Sequence, residues 1–240
     1  MEMILLILVS AGGSFVQRVT GFGLGIFNML FMPYFLPSST VAAAVCGMQA
    51  CVNNLYHGIS KSRYINWKIM IPLVIAAMVM IPLAVSVSAS LPQTLMKRLL
   101  GIILVALSIY FLFFSHRIHI RPTVPNGLLA GALGGTLNGL FSTGGPPVVL
   151  YLIQATSDKM VYFATIQAYF GITNVYSTAT RMLNGIIDWK ITLYSAVSLL
   201  GVLLGDRLGA VAFHRLNAEK FNKTIYIGMI ASGVLMLIQG

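Results

Sequence analysis

The sequence predicts an all-α polytopic membrane protein that is built from two inverted-topology repeats. Three observations support this prediction: an apolar composition, a series of hydrophobic segments with short polar breaks, and motifs that recur at a nearly constant spacing. Hydrophobic residues make up 58% of the 240 residues and charged residues only 8%, with a mean hydropathy of +0.88. A soluble domain usually carries about 25% charged residues. So few charges can cover the rims of a membrane-embedded bundle but not a surface in water.

The charge balance and the absence of certain motifs from the sequence argue against a nucleic-acid partner and against a cofactor. The chain carries 15 Lys and Arg residues against 5 acids, for a net charge of +10, as is typical of loops that face an anionic cytoplasmic leaflet. We predict no nucleic-acid partner, because the basic residues are scattered between apolar runs and form no stripe. We predict no metal or other cofactor, since the sequence has neither a cluster of Cys and His with metal-ligand spacing nor an ATP-binding motif.

Hydrophobic segments follow one another without a soluble domain or a long linker between them. A simple spanning helix needs about 20 apolar residues, and the first, second, sixth and seventh segments fall short of this. Each short pair is separated by a glycine-rich break, at residues 20–23 and 142–147. We therefore predict that each short pair forms a re-entrant helical hairpin. The predicted segments are 3–17, 22–36, 40–57, 69–88, 95–114, 126–139, 147–154, 161–181, 191–213 and 222–239.

Several motifs recur in order at an offset near 122 residues, which indicates a duplication. The first repeat is predicted at 1–120 and the second at 121–240, within a single transmembrane domain. Each half holds one hairpin and three spans, or five crossings if the hairpin helices cross. Both counts are odd, so the second half is inverted relative to the first, as in many secondary transporters. The recurring motifs are Gly12-Gly13-Ser14 and Gly134-Gly135-Thr136, Thr20-Gly21 and Thr143-Gly144, Gln49 and Gln167, and Ile65-Asn66-Trp67-Lys68 and Ile187-Asp188-Trp189-Lys190.

The distribution of basic residues predicts an orientation in the membrane. If the hairpins are re-entrant, one side of the membrane receives Lys61, Arg63, Lys68, Arg117, Arg121, Lys159, Arg207, Arg215, Lys220 and Lys223. The other side receives Lys97, Arg98, Arg181 and Lys190. The positive-inside rule places the first side in the cytoplasm and therefore both termini outside.

The two glycine-rich breaks are the predicted substrate site. Irregular backbone at membrane depth is tolerated only where it is buried in protein or lines a cavity. Glycines let a ligand approach the backbone, the helices beyond the breaks present free N–H groups, and nearby hydroxyls add donors, which together suit an anion. Alternatively, the glycines only permit close helix packing. The predicted tip residues are Thr20, Gly21, Phe22, Gly23, Ser142, Thr143, Gly144 and Gly145.

The helices that follow the hairpins carry polar residues on one face. Gln49 and Asn53 are four residues apart in the first half, and Gln167 and Asn174 are seven apart in the second, which places each pair on a common helix face. We predict that these four amides line the cavity between the hairpins. The alternative is hydrogen bonding between helices, which is common for Asn and Gln in membranes.

Three ionisable residues are further candidates. Arg18 lies beside the first tip, where it either attracts an anion or pairs with free backbone carbonyls. Asp206 is predicted to form a structural ion pair with Arg207 near the cytoplasmic interface, and it is also the nearby carboxylate that could carry a coupled proton. His57, at a segment end, is interpreted as interfacial.

These glycine-rich motifs and the duplicated length resemble the TauE/SafE sulfite-exporter family. The resemblance rests on Gly12-Gly13-Ser14-Phe15 with Thr20-Gly21-Phe22-Gly23, and on the second-half motif over residues 134–147, and it extends over essentially the whole chain. It implies a multi-pass carrier in a prokaryotic plasma (inner) membrane. The implied substrates are small sulfur-containing or organic anions such as sulfite, sulfonates and sulfoacetate. Members of the family differ in substrate and direction, so the resemblance fixes neither.

The leading hypothesis is a secondary transporter that binds a small anion between the two tips and works by alternating access. Coupling to protons or to another ion gradient, and assembly into an oligomer, are left open. The alternatives are an anion-selective channel and a carrier of small carboxylates. An enzyme is not predicted, because intramembrane hydrolysis needs paired carboxylates, a metal cluster or a nucleophile with a base. The repeated polar breaks argue against a non-transporting assembly subunit.

Overall fold

The computed structural model describes residues 2–114, 121–212 and 218–239, and the side chains of all of these except 114 and 218–224. All regular structure within these ranges is helical, which confirms the all-α part of the predicted fold class for the described residues. The helices are α1 (Glu2–Thr20), α2 (Leu24–Phe31), α3 (Ser39–Ser60), α4 (Trp67–Ser90), α5 (Gln93–Ile109), α6 (Val124–Phe141), α7 (Gly145–Ala155), α8 (Lys159–Leu183), α9 (Trp189–Ala212) and α10 (Ala218–Gln239).

Four helices in the described part of the chain are long and apolar enough to cross a membrane. They are α1, α4, α9, and α5 together with the turn that extends it to Phe113. The prediction that the first segment falls short is therefore wrong: α1 has 19 residues and rises about 28 Å, close to the thickness of a bilayer core. The polar residues Ser10, Ser14 and Gln17 do not end it, because their side chains are buried inside the protein. The second arms, α2 and α7, are short as predicted, with 8 and 11 residues.

Side chains fix where several helices begin. The Ser38 hydroxyl accepts a hydrogen bond from the Val41 N–H at the start of α3, and the Asp158 carboxylate accepts from two N–H groups at the start of α8. The repeated motif caps the start of the fourth helix in each half. The Asn66 side chain accepts from the Ile69 N–H, and the Asp188 side chain accepts from the Ile191 N–H. Each cap satisfies an N–H group that the first turn of a helix leaves free.

The first helix of each half packs along the fourth helix of the other half. Glycines at every fourth residue allow this close approach, because an added Cβ would collide with the backbone of the partner helix. In α9, Gly201, Gly205 and Gly209 lie against Ile7, Ala11 and Phe15 of α1. In α6, Gly131, Gly135 and Gly139 lie against Leu73, Ala77 and Ile81 of α4. Residue numbers rise together in both series, so α1 runs parallel to α9 and α6 runs parallel to α4.

The third helix of one half pairs with the third helix of the other, and the two fifth helices pair in the same way. Both of these pairs are antiparallel. On α3, Gly47 lies against Thr178 and Gly58 lies against Ala168, so α3 and α8 are antiparallel at the centre of the bundle. Gly101 of α5 lies against Leu237 of α10, and Gly233 of α10 lies against Val105 of α5, so this pair is antiparallel as well.

Some predictions fall on parts of the chain that are not described. Arg117 and Arg215 lie outside the described residues, as does the predicted end of the ninth segment at Phe213. Lys220 and Lys223 belong to α10, but their side chains are not described.

Candidate functional site

A small cavity lies where the two glycine-rich breaks meet. The volume that the centre of a water molecule can occupy in this cavity is about 30 Å³. This is enough for one or two water molecules. The breaks touch each other directly, since a Cβ at Gly25 would collide with the Ser142 carbonyl oxygen. Only glycine fits at this contact without displacing one of the breaks. The cavity is lined by Gln17, Gly23, Leu24, Gly25, Ile26, Ala50, Asn54, Asn138, Ser142, Thr143, Gly144, Gly145, Phe170 and Asn174.

The first break reverses the chain at the end of α1. Gly21 and Gly23 have φ angles of 85° and 108°, which L side chains rarely adopt. The Thr20 hydroxyl lies 3.0 Å from the Val16 carbonyl oxygen and accepts a hydrogen bond from the Phe22 N–H at 3.3 Å. This hydroxyl is therefore used to hold the turn together. Gly23, at the start of α2, is the part of this break that faces the cavity.

The second break presents polar atoms without partners. Ser142 adopts a left-handed conformation with φ 54°, and its hydroxyl donates to the Ala43 carbonyl oxygen at 2.8 Å. The next residue, Thr143, is 2% exposed, and its hydroxyl has no hydrogen-bond partner among the described residues. The side-chain oxygen of Asn138, near the end of α6, also has no hydrogen-bond partner among the described residues. Buried polar groups are nearly always paired, so two orphaned groups beside one cavity indicate a place for a polar ligand or water.

A layer of amides lies at one edge of this cavity. Gln17 donates through Nε2 to the Asn54 side-chain oxygen, and the same nitrogen lies 3.3 Å from Oε1 of Gln167. Gln167 in turn donates through Nε2 to the Gly21 carbonyl oxygen at 3.1 Å. The layer joins α1, α3 and α8 and ties them to the first break.

A larger, basic cavity lies on the other side of this amide layer. Its volume is about 580 Å³, and it reaches the surface beside the exposed residues Lys159 and Met160. We call it the vestibule. Among the described residues, three cations line it and no acidic side chain does. The lining residues are Arg18, Val19, Thr20, Gly21, Lys61, Lys159, Met160, Tyr162, Phe163 and Ala210.

An ion cluster joins three helices next to the vestibule. The Asp206 carboxylate lies 2.9 Å from Nε2 of His57 and 3.8 Å from Nε of Arg18, while Arg18 Nη1 lies 3.4 Å from His57 Nδ1. The predicted pairing of Asp206 with Arg207 is not observed among the described residues, because neighbours on a helix project about 100° apart and Asp206 faces α1 and α3. His57 is 6% exposed in this cluster, so it is buried inside the protein at the end of α3, and its predicted interfacial position stays a prediction.

The structure brings together part of the predicted site. Gly23, Ser142, Thr143, Gly144, Gly145 and Asn174 line the central cavity, whereas Arg18, Thr20 and Gly21 line the vestibule. Gln167 belongs to the amide layer between them. Three predicted residues do not line either cavity. Gln49 is buried and accepts a hydrogen bond from Asn28 at 3.2 Å, Asn53 is buried, and the Phe22 ring packs near that of Phe111.

Three polar residues near the cavity were not predicted. Gln17 lies one turn before the first break, and Asn54 adjoins the predicted Asn53 but projects from a different face of α3. Arg181 was predicted as the last residue of the segment 161–181, with its charge on the outer side of the membrane, and it is 0% exposed inside α8. The spacing of Gln167, Asn174 and Arg181 by seven residues is the signal that could have revealed it, because such residues share a helix face.

Arg181 holds the end of α6. Its Nη2 donates to the carbonyl oxygens of Asn138 and Gly139 at 2.9 and 3.0 Å, and its Nη1 donates to the Ser177 hydroxyl at 2.5 Å. These two carbonyls belong to the last turn of α6, whose end carries a partial negative charge. The second break is thereby fixed to α8.

Comparison with known proteins adds a family match. A family model described as "Sulfite exporter TauE/SafE" matches residues 5–236. A curated protein from Cupriavidus necator, named "Probable sulfite/organosulfonate exporter TauE", is 24% identical over 202 residues, which cover 82% of this chain and 78% of that protein. The search of solved structures returns no match.

Proposed function

Because the chain belongs to the sulfite exporter TauE/SafE family, we propose that it is a secondary transporter of small sulfur-containing anions such as sulfite and organosulfonates. The printed name of the Cupriavidus relative supports this substrate class. The observation that carries the proposal is the cavity between the two breaks, where the buried Thr143 hydroxyl has no partner in the described protein. Among the described residues, no acidic side chain lines this cavity or the vestibule, which suits an anionic ligand.

The anion binds between the two breaks. Thr143 and the helix N-terminus at Gly144 and Gly145 supply hydroxyl and N–H donors from one side, and Gly23 allows close approach from the other. Asn174 and Asn54 add amide groups from the central pair of helices. The cavity is smaller than a sulfonate in this conformation, so binding requires the breaks or the amide layer to move apart.

The conformation supports alternating access with the vestibule side open. An anion enters the vestibule past Lys61 and Lys159, whose charges attract it. It then meets the amide layer of Gln17, Asn54 and Gln167. The opposite side is closed by the bond from Ser142 to α3 and by the bonds from Arg181 to the end of α6. Opening to that side requires those bonds to break as the amide layer closes.

Two inverted repeats provide the moving parts in this proposal. The pairing directions support it: α1 is parallel to α9, α6 is parallel to α4, and the equivalent helices α3 and α8 are antiparallel, as are α5 and α10. A second half upside down relative to the first requires equivalent helices to be antiparallel, and it requires the α1–α9 and α6–α4 pairs to have the same sense. The positive-inside rule then places the vestibule in the cytoplasm, with the termini outside.

A proton is the proposed coupling ion. The Asp206 carboxylate, His57 and Arg18 link α1, α3 and α9 beside the vestibule. A proton on this cluster changes the balance of charge that holds the three helices together, so protonation can be coupled to their movement.

Transport of labelled sulfoacetate or sulfite into proteoliposomes tests the proposal. We expect saturable uptake that is driven by a gradient and reduced by unlabelled organosulfonates. Flux that rises linearly with concentration, with measurable conductance, would support a channel instead. Uptake of small carboxylates without any uptake of sulfur compounds would overturn the substrate class while leaving the carrier in place.

A further inference from the structure

Arg181 is a buried cation for which the described protein supplies no carboxylate partner. The four acidic side chains that the structure describes are all engaged elsewhere. Glu2 accepts from the Tyr194 hydroxyl, Asp158 and Asp188 accept from N–H groups at helix starts, and Asp206 belongs to the ion cluster. Arg181 is fully buried, and its Nε has no hydrogen-bond partner among the described residues. Charges buried in a membrane protein are normally paired.

The guanidinium lies directly behind the wall of the central cavity. It donates to the carbonyl of Asn138, whose residue lines the cavity. A Cβ at Gly47 would lie 3.1 Å both from Nη1 of Arg181 and from the hydroxyl oxygen of Ser142, a second lining residue. One layer of protein atoms therefore separates the cation from the space where Thr143 presents its unpaired hydroxyl.

We infer that Arg181 determines the charge specificity of the site and that the transported anion serves as its missing counter-charge. This assignment rests on the proposed function of the cavity. In a region of low dielectric constant a charge acts on a ligand without touching it, and its attraction for a dianion is twice that for a monoanion at the same distance. The site accordingly favours sulfur-containing dianions over monoanions of similar size.

Direct binding experiments on the full-length, detergent-purified protein test this assignment. The probes are sulfoacetate, a dianion at pH 7.5, and ethanesulfonate, a monoanion of similar size. The measured quantity is the ratio of the two dissociation constants. The variants are Arg181→Gln, which removes the charge, and Arg181→Lys, which keeps it. Arg98→Gln is the matched control, because Arg98 is an exposed cation near the start of α5.

We expect the wild type and Arg98→Gln to bind sulfoacetate more tightly than ethanesulfonate. Arg181→Gln weakens sulfoacetate binding by about tenfold and ethanesulfonate binding by only about threefold, because the lost attraction scales with the charge of the ligand. Arg181→Lys retains the preference of the wild type. If Arg181→Gln weakens both ligands by the same factor, Arg181 has only a structural role and the assignment is overturned.

The two proposals fail in different ways. A wild-type protein that binds neither anion contradicts the proposed function together with this assignment. A wild-type protein that binds both, with an unchanged ratio in Arg181→Gln, contradicts only the assignment. If Arg181→Gln does not yield folded protein, the Arg181→Lys ratio decides: a ratio near that of the wild type supports the charge role, and a ratio of one overturns it.

Discussion

At the scale of single residues, Thr143 is the most informative position in the cavity. Its hydroxyl is buried and unpaired among the described residues, and it lies at the N-terminal side of α7. Thr20 occupies the corresponding place in the first break, but its hydroxyl is used inside the turn. The two repeated hydroxyls therefore differ in role, a difference that the repeat in the sequence did not reveal.

Replacing Thr143 with Val should weaken sulfoacetate binding by about tenfold, because the loss of one hydrogen bond costs about 1–1.5 kcal/mol. Thr136→Val is the matched control. The Thr136 hydroxyl donates to the Ala132 carbonyl within α6 and does not line the cavity. We expect this control to bind like the wild type. Equal affinities of Thr143→Val and Thr136→Val in titrations of the purified proteins would remove Thr143 from the site.

Asp206→Asn should abolish most of the dependence of transport on pH, since it removes the carboxylate that faces His57 and Arg18 while keeping its shape. Uptake rates in proteoliposomes across a series of pH values measure this. Asp158→Asn is the control, because Asn can still cap α8 while a charge is lost nearby. If the pH profile of Asp206→Asn matches that of the wild type, Asp206 is not part of the coupling.

The candidate site could be predicted from the sequence only in part, and the reason is geometric. Glycine-rich breaks mark where backbone leaves the helix, so Gly23 and residues 142–145 could be found from the sequence. Which amide faces the cavity depends on the rotation of a helix by single residues, and Asn54 rather than Asn53 has that position. Long-range pairs, such as Asp206 with His57, depend on tertiary packing, which the spacing of residues in the sequence does not encode.

At the scale of elements, composition and breaks predicted the ten segments, but not the length of the first. The rule of about 20 apolar residues fails for α1 because its polar residues face protein rather than lipid. The same holds for α6, which runs four residues longer than the predicted 126–139. Caps at Asn66 and Asp188, both in a repeated motif, fix the fourth helix of each half where the segments predicted it.

The glycine-mediated pairing of α1 and α9 predicts a specific loss of stability. A Cβ at Gly205 would collide with the Ala11 carbonyl oxygen, so Gly205→Ala should force the helices apart. We expect a cost of about 1–3 kcal/mol, seen as a lower melting temperature in detergent.

Gly228→Ala is the matched control for this prediction, because a Cβ there meets no atom within 4 Å. Its melting temperature should equal or exceed that of the wild type, since alanine favours helix more than glycine. Equal melting temperatures for the two variants would contradict the close packing of α1 against α9.

At the scale of the whole molecule, the first helix of each half packs against the fourth helix of the other half. This packing joins the two halves into a single bundle. Neither half can bury its first helix without the fourth helix of the other. The repeated motifs were visible in the sequence, whereas this pairing of helices between the halves was not, because motif spacing says nothing about which half a helix packs against.

The orientation of the bundle can be tested with single cysteines in a background where Cys46 and Cys51 are replaced by Ala. Lys159→Cys, at the mouth of the vestibule, should react with a membrane-impermeant maleimide only in inside-out vesicles. Arg98→Cys, on the opposite side, should react only in intact cells. The reverse pattern would place the vestibule outside and invert the proposed direction of access.

The most direct test of the central claim is the thermal stability of the detergent-purified protein in the presence of small anions and cations. A ligand that binds only the folded state raises the melting temperature by mass action. We predict a rise with sulfite or organosulfonates that is absent with chloride and with cations, and that is smaller in Thr143→Val. A rise with cations alone would contradict an anion site between the two breaks.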